Sequence, residues 1–166
     1  MEPLERGDVD FQIVPDHLVL RQHPHELLFS DDFVCVIWTG NRLVGEQLSM
    51  SQYLSLGHVA LSFPRRHHGD DEWVKSMAHV DRRIDIIAIN FASLPQYVVG
   101  TQRIATVQRR LAALYARHFP VRFLAAPFEI PRLNEMLQWN QNFDADPSHR
   151  WFRGILKDVA AEIGTG

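Results

Sequence analysis

The sequence predicts an α/β protein of two lobes with mainly parallel sheets, and three observations carry that expectation. Gly100-Thr-Gln-Arg-Ile-Ala-Thr-Val-Gln-Arg-Arg-Leu-Ala runs a short apolar strand straight into an amphipathic helix. Gln138-Trp-Asn-Gln-Asn-Phe-Asp-Ala-Asp-Pro-Ser-His-Arg-Trp ends a strand and opens a last helix on a strong start signal. Ile84-Asp-Ile-Ile-Ala-Ile89 is nearly all apolar, as a strand covered on both faces by helices should be.

The elements follow in order. Pro3 and its acidic neighbours suit the first turn of a short helix stopped by Gly7. Val9 to Val14 alternates like a strand and Pro15 closes it, while Asp16 to His25 is polar and proline-marked, hence a loop. Glu26 to Trp38 reads as two short strands parted by Ser30-Asp-Asp32, with a turn at Thr39–Arg42. Ser49 is placed to cap a short helix carrying Tyr53 and Leu56 on one face, closed by Gly57. His58 to Phe63 is the next strand, and Asp70 or Asp71 caps a helix with Trp73, Met77 and Val80 aligned.

After the Ile84–Ile89 strand, a short helix runs from about Ser93 to Val99, then a brief strand from Arg103 to Thr106. The helix after it is expected to turn Val107, Leu111, Leu114 and Tyr115 inward until Pro120 stops it. Val121–Ala125 and Leu133–Trp139 are strands flanking two prolines. Asp146 caps the final helix, with Pro147 at its first position and Trp151, Ile155 and Val159 in one row. The turn after Trp38 and the extended Ala125–Arg132 segment are the expected crossings between lobes. These are residues 1–50 plus 130–166, and residues 51–129.

A chain of 166 residues that is 46% hydrophobic and 22% charged can bury a proper core, which argues against disorder. Its net charge of −3 lacks the basic excess of a nucleic-acid footprint. The single Cys35 cannot form an internal disulfide and lies in an apolar strand, which fits inert packing in a reducing compartment. With no signal-peptide pattern and no apolar run of about 20 residues, the chain reads as soluble and cytoplasmic.

No complete catalytic set can be assembled. His23-Pro-His25 and His67-His68, the latter near Asp70, Asp71 and Glu72, lack the helical or closed-loop spacing of a zinc site. Solvated loop histidines are the plainer reading. There is no Gly-X-Ser-X-Gly elbow, no full dinucleotide fingerprint and no Walker lysine. Neither metal nor cofactor is expected, and the chain reads as a binding domain, not an enzyme. His58, beginning a strand after a glycine-stopped helix, is either a cleft residue or a core histidine bonded to backbone. Val14, Pro15, Phe63, Asn90, Phe91 and Arg103 are read as strand-end residues, where ligands of α/β folds concentrate.

Several segments resemble LysR-type transcriptional regulators, in the right order along the whole chain. They are Glu2-Pro-Leu-Glu-Arg-Gly-Asp-Val-Asp-Phe, Tyr53-Leu-Ser-Leu-Gly-His-Val-Ala, Gly100-Thr-Gln-Arg-Ile-Ala-Thr-Val, and Gln138-Trp with Asp146-Pro and Trp151. The likeness is to the branch holding the nodulation and salicylate regulators. It implies an effector-binding domain with a type 2 periplasmic-binding-protein fold, in which a small aromatic or phenolic inducer binds between the lobes. It further implies that DNA is engaged through a separate N-terminal helix-turn-helix and that the protein is a homo-oligomer. Carried over, the residues expected to face the effector are Val14, Pro15, His58, Phe63, Asn90 and Phe91, with Arg103 added from its strand-end position. Two other classes stay open: a stand-alone small-molecule binding protein, and a metal-dependent enzyme using His58 and the acids near His67.

The resemblance also implies that the helix-turn-helix, linker helix and first βαβ portion of the first lobe are absent before Met1. The first lobe is then N-terminally truncated, with an uncovered strand edge and apolar face that invite pairing with another chain. Self-association is therefore expected. Light scattering at micromolar concentration should report species above the monomer mass, and a monodisperse monomer would contradict the expectation.

Overall fold

A computed structural model describes residues 3–61 and 80–164. The expected strand end at Phe63, His67-His68 and most of the helix capped at Asp70 or Asp71 lie outside the described residues. In chain order the elements begin α1 (Pro3–Arg6), β1 (Phe11–Pro15), β2 (His25–Asp31), β3 (Phe33–Trp38), α2 (Met50–Ser55), β4 (His58–Leu61) and β5 (Ile84–Ala88). Then come α3 (Leu94–Val98), β6 (Ile104–Gln108), α4 (Arg109–His118), β7 (Val121–Ala125), β8 (Leu133–Trp139) and α5 (Pro147–Gly164).

Two compact units result, residues 1–31 with 133–166, and residues 32–132. The first division thus falls at Asp32 and not near 50, while the second, after Arg132, lies within three residues of the expected one. The reason is β3, which pairs with β6 and β7 inside the second unit.

The first unit holds a three-stranded sheet, β1-β8-β2, antiparallel throughout. Its strands are not joined by helical crossovers of the kind parallel neighbours need, so the expected parallel pairing fails here. Gly7 ends α1 at φ 72°, a conformation glycine adopts without a Cβ penalty. The polar segment after β1 is a single 3-10 turn, Asp16–Leu18, followed by a loop that Gln138 holds. The Gln138 side chain is fully buried. Its Nε2 donates to Leu20 O at 2.7 Å and to His23 O at 3.3 Å. Its Oε1 accepts from Leu20 N at 3.0 Å and Gln12 Nε2 at 2.8 Å. One amide thereby supplies the acceptor for Leu20 N–H and adds a second partner to Leu20 O and His23 O, which also accept from His23 N and His25 Nδ1.

Asp146 Oδ1 accepts from His149 N at 2.9 Å and Pro147 opens α5, as the sequence predicts. The row of Trp151, Ile155 and Val159 on α5 is an exposed one. Trp151, Ile155 and Val159 are 68%, 37% and 46% exposed, whereas Arg153 and Ala160 are buried. Arg153 turns inward because its guanidinium lies 4.2 Å from the Trp139 ring centroid and donates to Asp144 O at 3.0 Å.

The second unit holds a five-stranded sheet in the order β5-β4-β6-β3-β7. Parallel pairing is realised in β5-β4-β6, while β3 runs antiparallel to both neighbours, so the sheet is mixed. Alternate residues of β3 feed two cores. Val34 and Val36 join Val59, Val107, Ala112 and Tyr115, whereas Cys35 and Ile37 join Val44, Tyr53 and Ile104. Burial pushes the Cys35 thiol up to about 12, so it stays protonated.

Two expectations shift. Among the described residues, β5 lies at the sheet edge, and Ile84 and Ile87 on it, with Ile89 just after it, are exposed. Strand β6 continues through the β-branched pair Thr106-Val107, so Val107 packs from a strand and α4 starts at Arg109. That changes the helix phase: Ala112 and Tyr115 are buried and Leu114 is exposed.

Replacing Gln138 by Leu keeps the volume and leaves the Leu20 N–H and the Gln12 amide without their acceptor, while Leu20 O and His23 O keep His23 N and His25 Nδ1. Gln138→Leu should lower unfolding free energy by about 2–3 kcal/mol, measured by urea denaturation of both proteins.

Candidate functional site

The amino end of β4 is built by α2. Ser49 accepts from Gln52 N at 3.2 Å, and Gln52 Oε1 accepts in return from Ser49 N at 2.9 Å, a reciprocal cap that fixes the helix start. This sets Tyr53 into the core, where its hydroxyl meets Thr106 Oγ1 at 3.1 Å and accepts from Arg82 Nη1 at 3.1 Å. The Tyr53 hydroxyl is pushed above its ordinary pKa, first by burial.

His58 is fully buried beside that ring, edge-on at 4.5 Å between centroids. Since a carbonyl only accepts, His58 Nε2 carries the proton and donates to Tyr53 O at 2.7 Å. Its buried Nδ1 makes no hydrogen bond among the described residues. Burial, reinforced by nearby arginines, lowers the imidazole pKa from 6.5 to about 4. Of the two readings open for this residue, the geometry meets the core one: a neutral histidine bonded to backbone.

The other expected positions separate. Asn90 and Phe91 follow the carboxyl end of β5. Asn90 is exposed, its Oδ1 accepting from Ser93 N at 3.0 Å, so its amide nitrogen faces outward without a partner among the described residues. Phe91 is half-buried against the first core, and its carbonyl accepts from the Tyr115 hydroxyl, itself raised in pKa by burial. Val14 and Pro15 close β1 in the first unit, Val14 buried. Phe63 lies outside the described residues. Arg103 precedes β6, at the amino end of the strand and not at a carboxyl end. There its Nε donates to Asp85 Oδ2 at 3.2 Å.

Arg103 belongs to an open recess of about 430 Å³ within the second unit, with Arg83, Asp85, Gly57, Leu43 and Leu56 among its walls. Arg83 and Asp85 were not singled out by sequence. The available signal is that Asp85 is the one charge in an otherwise apolar strand. Among the described residues, no group of three or more His, Cys, Asp or Glu side chains is arranged to hold a metal ion. Nor is any helix long and apolar enough to cross a membrane.

The chain shares the fold of solved transcriptional-regulator domains, the type 2 periplasmic-binding-protein fold. A protein from Vibrio parahaemolyticus described as a transcriptional regulator superposes with a TM-score of 0.84 at 17% identity, covering 99% of this chain and 77% of that one. The C-terminal domain of a Rhodococcus regulator assigned to the LysR family gives 0.75 at 17% identity, covering 93% and 77%. The effector-binding domain of QuiR in complex with shikimate gives 0.72 at 13% identity, covering 98% and 75%. In sequence, nodulation protein D 2 of Rhizobium tropici is 38% identical over 161 residues, 96% of this chain and 51% of the relative. Nodulation protein D 1 of Sinorhizobium fredii is 36% identical over 163 residues, 98% and 51%. No protein-family model matches. The chain is a homologue of the nodulation D proteins, LysR-type regulators, and spans about half the length of the curated relatives it matches.

The His58 environment makes stability depend on pH. The unfolded imidazole takes a proton near 6.5 and the folded one near 4, so between these values the unfolded state binds more protons. Stability is present in full above pH 6.5 and falls by up to about 1.4 kcal/mol per pH unit on the way down to 4. Denaturant midpoints at a series of pH values should show this slope, and His58→Gln, which keeps a donor without a titrating ring, should flatten it.

Proposed function

We propose that the chain is the effector-sensing part of a LysR-type transcriptional regulator, a binding domain without catalytic activity, working in the cytoplasm. Its effector is a small aromatic or phenolic inducer, and its influence on DNA passes through a helix-turn-helix domain outside these residues. The observation that carries the reading is the identity of 36–38% to nodulation D proteins along nearly the whole chain. The homologous regulatory fold, one member of which is described with shikimate bound, supports it.

Within the second unit, the residues proposed to touch the effector are Asn90 and Phe91. An aromatic ring suits the half-buried Phe91, and a hydroxyl or carboxylate suits the outward amide nitrogen of Asn90. His58 contributes from behind, by fixing Tyr53 and the start of β4. The mechanism is population shift. An effector that binds one conformation of the regulator more tightly raises its share, and the DNA-binding heads follow. A homo-oligomer supplies the paired heads.

Thermal unfolding of the chain with a panel of aromatic acids and phenols tests this. A true inducer at about one hundred times its Kd should stabilise by about 2.7 kcal/mol and be recovered chemically unchanged. Phe91→Ala and Asn90→Ala should each diminish the effect. A panel without any stabilising compound, or stabilisation indifferent to both changes, counts against the proposal.

A further inference from the structure

The recess around Arg103 has a specific construction. Asp85 spends one carboxylate oxygen on each of two arginines, Oδ1 on Arg83 Nε at 3.0 Å and Oδ2 on Arg103 Nε at 3.2 Å. Both contacts use the Nε edge, so the terminal nitrogens of both guanidiniums make no hydrogen bond among the described residues. The three groups together carry one net positive charge.

Their placement is held from several sides. The amino ends of the three parallel strands are tied by His58 N to Arg83 O at 2.9 Å and Ile104 N to Gly57 O at 3.0 Å. A side chain at Gly57 would collide with the Asp85 carboxylate, so the glycine is what lets Asp85 sit between its arginines. Thr101 Oγ1 donates to Val98 O at 2.8 Å and accepts from Arg103 N at 3.1 Å, fixing the turn from which Arg103 projects. Leu43 and Leu56 give the same recess an apolar wall.

A pair of forked donors with a net positive charge beside apolar surface matches an anion with a hydrocarbon body. We propose that this recess is a second small-molecule site, taking a compact organic carboxylate whose oxygens bridge the terminal nitrogens of Arg83 and Arg103 while its body lies along Leu43 and Leu56. It lies at the amino ends of β4, β5 and β6, whereas Asn90 and Phe91 follow the carboxyl end of β5. The two sites therefore stand or fall separately.

Nitrogen-15-labelled chain titrated with benzoate at constant ionic strength, with inorganic phosphate in parallel, reads out location and chemistry together. The expected result is saturable movement of the Gly57, Thr101 and Gln102 amide signals with benzoate. Arg83→Gln should weaken it about tenfold, the loss of charge-assisted hydrogen bonds, and Arg103→Gln likewise. Arg83 is 64% exposed on its side chain, so its replacement leaves packing intact. Phe91→Ala should leave these signals responding as before. Signals that stay still at tens of millimolar benzoate, about the weakest binding such contacts would give, overturn the proposal. So does movement that survives both arginine changes, or a response to phosphate alone.

Discussion

Strand β3 is the constraint around which the second unit is organised. Five of its six residues are buried, because the strand lies inside the sheet with cores on both faces. Such a strand has no tolerance for a polar side chain, which is why Phe33-Val-Cys-Val-Ile is apolar without alternation. It also runs against its neighbours and so blocks any continuous parallel sheet. With β3 fixed, β6 and β7 have defined edges to join, and β4 and β5 extend the sheet from β6.

Burying so much apolar surface leaves orientation underdetermined, and a few polar groups supply it. In the second unit, Arg82 and Thr106 hold the Tyr53 hydroxyl, and the Tyr53 carbonyl holds His58. In the first unit, Gln138 plays the same part for a loop that has almost no regular structure. Each costs stability if left half-satisfied, and each specifies one arrangement when complete. The recess of Arg83, Asp85 and Arg103 differs in kind: its donors are positioned from behind and left open in front.

Much of the architecture was legible in the sequence where local chemistry decides. Gly7, the Ser49 cap, Asp146-Pro147 and the strands at 121–125 and 133–139 all stand where their residues place them. Periodicity failed where tertiary position decides instead. Ile84–Ile89 looked doubly covered, but an apolar run does not say whether its strand is central or at an edge. Val107 suits the inward face of a helix or the interior of a strand equally well, and only pairing with Val34 separates them. The first unit boundary lies at Asp32, earlier than the turn after Trp38, because β3 follows β2 after a single residue. For the site, Arg103 is legible from its position at a strand end, whereas Asp85 and Arg83 gain meaning only once Gly57 brings two strands together.

The final helix offers an optical consequence. Trp139 lies under the Arg153 guanidinium with its indole nitrogen bonded to Asp144, while Trp151 projects into water from α5. An indole in water emits to the red of one packed in protein and is open to quenching by iodide. Trp151 therefore serves as a built-in dye for its helix face. Any molecule that settles over Ile155 and Val159 shifts the Trp151 share of the emission of the four tryptophans to the blue and shields it from the quencher, without a label.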